Sequence, residues 1–142
     1  MNMHKNIYLL FLVVSFSLLF LNCNEDFNRE DWRLNTDGNI PAIGNTTNSF
    51  AFAVAANNYS FSEKYLVDFN SNSLSLGLTI TNYRNGNGRL ELINSKDSVY
   101  YSVSLNSNIA YGSKDITLQI PKRIGVTLSN FTGQLSIGIA GK

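Results

Sequence analysis

The 142-residue chain is poor in the residues that most active sites are built from. It has one Cys, at position 23, so no disulfide can form within it. It has one His, at position 4. Charged side chains make up 15% of it, and the 11 basic and 10 acidic residues nearly cancel. A chain that reads nucleic acid needs a basic face to neutralise phosphates, and this balance provides none. Phosphate-cradling glycine loops and the G-x-S-x-G nucleophile elbow are both missing. The longest apolar run, Ile7 to Leu21, is 15 residues. As a helix it would span about 22 Å, short of the ~30 Å hydrocarbon core of a bilayer.

What the chain does contain falls into three segments. Residues 1–22 open with Lys5 ahead of the apolar run IYLLFLVVSFSLLFL, the pattern of a secretory signal peptide. The run closes on Phe20-Leu21-Asn22-Cys23. This tetrapeptide resembles the lipobox of small bacterial lipoproteins, in a loose form. Phe20 stands where Leu is usual, and Asn22 stands where Gly or Ala is usual. The resemblance implies cleavage before Cys23 and attachment of diacylglyceride to its thiol. Membrane lipid is then the first partner of the chain. An uncleaved signal anchor and ordinary cleavage nearby are the alternatives. One acyl chain binds a bilayer marginally and two or three bind firmly, at about 0.8 kcal/mol per buried CH₂.

Cleavage there sharpens the exclusions. The chain from residue 23 onward has no His and no Met, and its one thiol carries lipid. Neither a Ser-His-Asp triad nor a Cys-His nucleophile can be assembled. Zinc sites of His and Cys, and haem ligation by His or Met, are equally out of reach. The reading is of a non-enzyme with no catalytic residue, no metal site and no cofactor.

Residues 23–48 carry Glu25, Asp26, Glu30, Asp31 and Asp37 against Arg29 and Arg33. No period is sustained, and Asn, Thr, Gly and Pro41 interrupt the segment, so it reads as an acidic, lipid-anchored linker. Asn24-Glu25-Asp26 resembles the acidic export signal of outer-membrane lipoproteins that face outward. The resemblance implies a cell-envelope location at the outer membrane, exposed at the surface.

From Ser49 to the end, apolar residues alternate with polar ones. Phe50, Phe52 and Val54 begin the pattern; Leu74 to Ile80, Val99 to Leu105, Ile116 to Ile120, Ile124 to Leu128 and Leu135 to Ile139 continue it. Period two over so many segments marks strands with one wet face. About eight strands are expected over residues 49–142. A half-buried sheet needs another to cover it, which predicts a single antiparallel β-sandwich, immunoglobulin-like or jelly-roll. Asn85-Gly86-Asn87-Gly88 reads as a hairpin turn, because Asn-Gly favours positive φ at both central positions. Asn94 to Asp97 and Ser129 to Gly133 read as further turns, and Pro121 as a strand end.

Two candidate ligand contacts emerge. Tyr83 and Tyr100 fall on the polar parity of their strands, where an exposed ring can stack on a sugar. Asp68-Phe69-Asn70-Ser71-Asn72 spaces oxygens like the opening of a calcium loop, but Ser73 and Thr79 occupy the positions where an EF-hand needs Gly and Glu. An Asx-rich turn accounts for it equally. The partner predicted is therefore a protein or a glycan, and not nucleic acid.

Overall fold

The computed structural model describes residues 39–117 and 119–142. The expected signal peptide, Cys23 and the linker up to residue 38 lie outside the described residues. The rest is all-β. Six strands follow in order: β1 (Ala42–Thr46), β2 (Ser49–Leu66), β3 (Ser73–Ile93), β4 (Val99–Ser104), β5 (Ile109–Thr117) and β6 (Arg123–Gly141). Every pairing is antiparallel. The order across the sheet is β1-β2-β6-β3-β4, with β5 also on β3.

Three of these strands are too long to lie straight. β2 has 18 residues, β3 has 21 and β6 has 19. Phe50 and Tyr65 lie on the same strand, 15 residues apart, and an extended chain would separate them by about 50 Å. Their ring centroids are 5.4 Å apart. Phe52 and Phe61 meet in the same way, at 5.6 Å. The strand has folded back on itself, and its two halves face each other across the core.

The fold line crosses all three strands side by side. The β2–β6 register slips between Ala56 and Phe61. The β3–β6 register slips between Thr81 and Asn87. Asn58, Asn82 and Asn130 take positive φ there (51°, 53° and 48°), a conformation that Asn tolerates better than most residues. An inserted residue bends a strand and shifts its parity. In β6 the buried set changes from Ile124, Val126 and Leu128 to Phe131, Leu135, Ile137 and Ile139. In β2 it changes from Phe50, Phe52 and Val54 to the partly buried Tyr59, Phe61 and Tyr65. The parity shift keeps the apolar side chains inside after the chain has turned the corner.

Cutting the strands at the bends gives two layers. One holds β1, the first half of β2, the second half of β6, the first half of β3, and β5. The other holds the second half of β2, the first half of β6, the second half of β3, and β4. The halves of β2 pair with those of β6, and the halves of β3 pair with β5 and β4. That nested pairing, rolled into two layers, is the strand order of a jelly roll. The expected antiparallel sandwich is present, and its eight core segments are carried on fewer, longer strands.

Three local expectations are corrected. Asn85 to Gly88 is not a hairpin turn; β3 runs through it, with Asn85 opposite Thr132 and Asn87 opposite Ser129. The Asn-Gly pairs serve the bend instead. Gly86 has φ 94°, and a Cβ there would lie 2.3 Å from the carbonyl oxygen of Asn130. Ser129 to Gly133 is likewise the bend of β6 and not a turn between strands. The third correction concerns the linker, because β1 begins at Ala42, inside the segment read as tether. Asn94 to Asp97 does form the β3–β4 turn. The Asn94 side chain accepts bonds from the backbone N–H groups of Lys96 (2.9 Å) and Ser98 (3.1 Å). Pro121 separates β5 from β6, as its missing N–H requires.

The core is wholly apolar. Leu76, Leu90, Leu92, Leu105, Ile124, Val126 and Phe131 are completely buried, and no polar or charged residue is buried among the described residues.

Candidate binding groove at the sheet bend

The bend that closes the sandwich opens a shallow groove on its outer side. The groove has a volume of about 330 Å³ and is lined from β2 by Ala55, Ala56 and Asn57, from β6 by Thr132, Gly133 and Gln134, and from β3 by Asn82 and Arg84. Ala56 and Gly133 are buried and form its floor. Asn57, Asn82, Arg84 and Gln134 are exposed around it.

Hydrogen bonds fix this frame. The N–H of Asn57 donates to Oδ1 of Asn39 (2.8 Å), and Nδ2 of Asn39 donates to the carbonyl of Asn57 (3.2 Å). The N–H of Asn58 donates to Oγ1 of Thr132 (2.9 Å). The Thr81 hydroxyl donates to Oε1 of Gln134 (3.1 Å), and the Gln134 NH₂ has no partner among the described residues. Asn130 and Ser60 brace the other side of the bend, where the Asn130 N–H donates to Ser60 Oγ at 3.1 Å.

The lining is electrostatically one-sided. It holds one guanidinium and no carboxylate. Ion pairs among the described residues join Arg89 to Glu91, Arg123 to Asp97 and Lys142 to Asp115, and none involves Arg84. Three of the five described carboxylates, Glu91, Asp97 and Asp115, are thus bound to cations away from the groove, and Glu63 and Asp68 are exposed without an ion pair among the described residues. They are not gathered into an acid–base pair, and no group of three or more His, Cys, Asp or Glu able to hold a metal occurs among the described residues.

Tyr83 and Tyr100 are half-buried with their hydroxyls bonded, where outward-facing rings were expected. Tyr83 packs on Phe131, with ring centroids 5.8 Å apart, and its hydroxyl donates to the Gly86 carbonyl at 2.6 Å. The slip after Thr81 turns its ring inward while Asn82 and Arg84 face the groove. Tyr100 is the extra residue of a bulge in β4, where Leu92 pairs with Tyr101 and Ile93 with Val99. Its ring packs against the core and its hydroxyl donates to the Gln119 carbonyl at 2.7 Å. Burial of this phenol pushes its pKa up to about 12. The structure does not bring the two rings together.

The Asp68–Asn72 segment is a turn between β2 and β3, tied to Asn48. The Asn70 N–H donates to Asn48 Oδ1 (2.8 Å), and the Asn48 N–H donates to the Asp68 carbonyl (2.9 Å). Asn57, Asn82, Arg84 and Gln134 carry no motif. Their one signal in the sequence is that asparagines interrupt three alternating stretches near their midpoints.

No protein-family pattern matches the chain. No curated protein matches it either. Among solved structures it is similar to the crystal structure of the infectious bursal disease virus VP2 subviral particle. The likeness has a TM-score of 0.35 and 14% identity and covers 73% of this chain and 33% of that one. The chain thus spans about a third of that protein's length. The jelly-roll assignment rests on the strand pairing alone.

Proposed function

We propose that the chain is a lipid-anchored, non-catalytic binding or assembly module of the bacterial cell envelope, held at the outer membrane and exposed at the cell surface. Cys23 is its attachment point and residues 24–38 its acidic tether. The binding part of this reading is carried by one observation. A sandwich with a wholly apolar core also keeps a braced groove on its outer side, lined by three amides, one hydroxyl and one guanidinium. The residue inventory after position 23 supports binding over catalysis. The carbohydrate-binding alternative gains support from the same groove, whose amides and hydroxyl suit a ligand rich in hydroxyls, and loses the two tyrosines as an outward stacking platform.

Metabolic labelling with a fatty-acid analogue tests the anchor. Label is expected in the wild-type chain and absent in Cys23→Ala, and label persisting in that variant would overturn lipidation. Protease shaving of intact cells tests the display. Loss of the domain is expected, and full protection of a domain that is cleaved after lysis refutes surface exposure.

A further inference from the structure

The groove lining points to a particular ligand class. We infer that it binds a carboxylated saccharide, with Arg84 taking the carboxylate and Asn57, Asn82 and Gln134 taking ring hydroxyls. The inference rests on the binding-module reading above and specifies its ligand.

Four features of the groove lead there. First, its single charge is a guanidinium with no ion-pair partner among the described residues, and a guanidinium binds a carboxylate through two parallel, charge-assisted hydrogen bonds. Second, the lining contains no carboxylate that would repel an anion. Third, its other polar side chains are three amides and one hydroxyl. Amides both donate and accept, which is what sugar hydroxyls require of a partner. Fourth, the floor is made of Ala56 and Gly133 with Ala55 beside them, so nothing bulky keeps a flat ring away from the backbone. The groove, of about 330 Å³, is open to solvent, so a ligand would lie across it and not be enclosed.

The frame is also pre-organised. Asn57 is pinned by both of its backbone groups to Asn39, and Thr132 is tied across the bend to Asn58. The backbone that carries these side chains is braced across the bend, so the strands need little reordering when a ligand arrives. The lining has no aromatic ring. Affinity per site is then set by hydrogen bonds and charge, and many anchored copies on one membrane raise it by multivalency.

The test is titration calorimetry on the detergent-solubilised full chain. A panel of glucuronate, galacturonate and sialate tetramers is compared with the same tetramers carboxyl-reduced, and with a glutamate hexapeptide. At least one acidic tetramer is expected to bind, and its reduced form to bind at least tenfold more weakly. Arg84→Gln should weaken the acidic tetramer tenfold or more, Gln134→Ala severalfold, and Lys96→Gln, in the β3–β4 turn, not at all. Arg84 and Gln134 are exposed, so both variants should keep the wild-type unfolding midpoint. Equal binding of the reduced tetramers overturns the acidic preference. Equal binding of the hexapeptide overturns the saccharide. Binding unmoved by Arg84→Gln, or no binding by any panel member, overturns the site. None of these results alters the lipid labelling of Cys23, so failure here is distinct from failure of the anchored-module reading.

Discussion

Gly86→Ala separates a bend from a hairpin. In an exposed two-residue turn, a Cβ at positive φ costs about 1–2 kcal/mol. Gly86 has the positive φ, at 94°, but it also faces backbone: its Cβ would fall 2.3 Å from the Asn130 oxygen, 2.6 Å from the Asn130 carbonyl carbon and 2.6 Å from Phe131 Cα. None of these atoms is the end of a flexible side chain. β3 or β6 must retreat, and overpacking of this kind costs a further ~1–3 kcal/mol. The expected loss is about 2–5 kcal/mol, or a fall in melting temperature of about 10 °C or more for a domain of this size. Urea denaturation with a linear extrapolation measures it. Gly138→Ala is the companion variant. A Cβ there meets nothing within 4 Å, and the position is an exposed strand residue. It should be neutral or stabilise by up to about 1 kcal/mol through the unfolded state. A Gly86→Ala loss no larger than the turn penalty, with an unchanged m-value, would refute the close approach of β3 and β6 at the bend.

Three further outcomes are expected from the same packing. Tyr83→Phe removes the hydroxyl that donates to Gly86 and keeps the ring on Phe131, so it should cost about 1 kcal/mol and leave acidic-saccharide binding unchanged in calorimetry. Phe131→Ala empties the centre of the core, where the ring is completely buried; a loss of about 3–5 kcal/mol is expected in denaturant titration. The third outcome concerns Tyr100, whose phenol is held protonated to about 12 in the fold against 10.0 ordinarily. The unfolded chain therefore releases this proton first as pH rises, so the contribution is intact below pH 10 and is lost between about 10 and 12. Tyr100→Phe should flatten the fall in stability over that window, and the wild-type fall should track tyrosinate absorbance.

The fold class is legible in the sequence because period-two alternation directly encodes a one-sided strand. Leu74, Leu76, Leu78 and Ile80 read inward and are buried. The bends are less legible. Asn-Gly specifies positive φ, and positive φ serves equally to join two strands or to crease one; Gly86 does the second because β6 lies beside it, a fact about residues more than forty positions away. The tyrosines mislead for the same reason. Parity counted along β3 or β4 holds only up to a register slip, and Tyr83 and Tyr100 both sit at one. The groove is illegible locally because its eight lining residues come from three strands and become neighbours only once all three are creased together. β1 is hidden by its composition, since Ala42 to Thr46 is an exposed edge strand with no apolar face to display.

The position of β6 sets the order in which this chain can become a protein. β2 and β3 do not pair with each other; each pairs along its whole length with β6, which lies at the centre of both layers. Ribosomes deliver about 5–20 residues each second, and β6, Arg123–Gly141, follows the other five strands in chain order. Until those residues emerge, the halves of β2 and β3 have no central strand to join, and the first contact Ser49 makes with Ala140 closes a loop of ninety-one residues. Such long-range closure is slow. The central pairing of both layers is therefore the last to form as the strands emerge in order, and until then β2 and β3 have only β1, β4 and β5 to pair with.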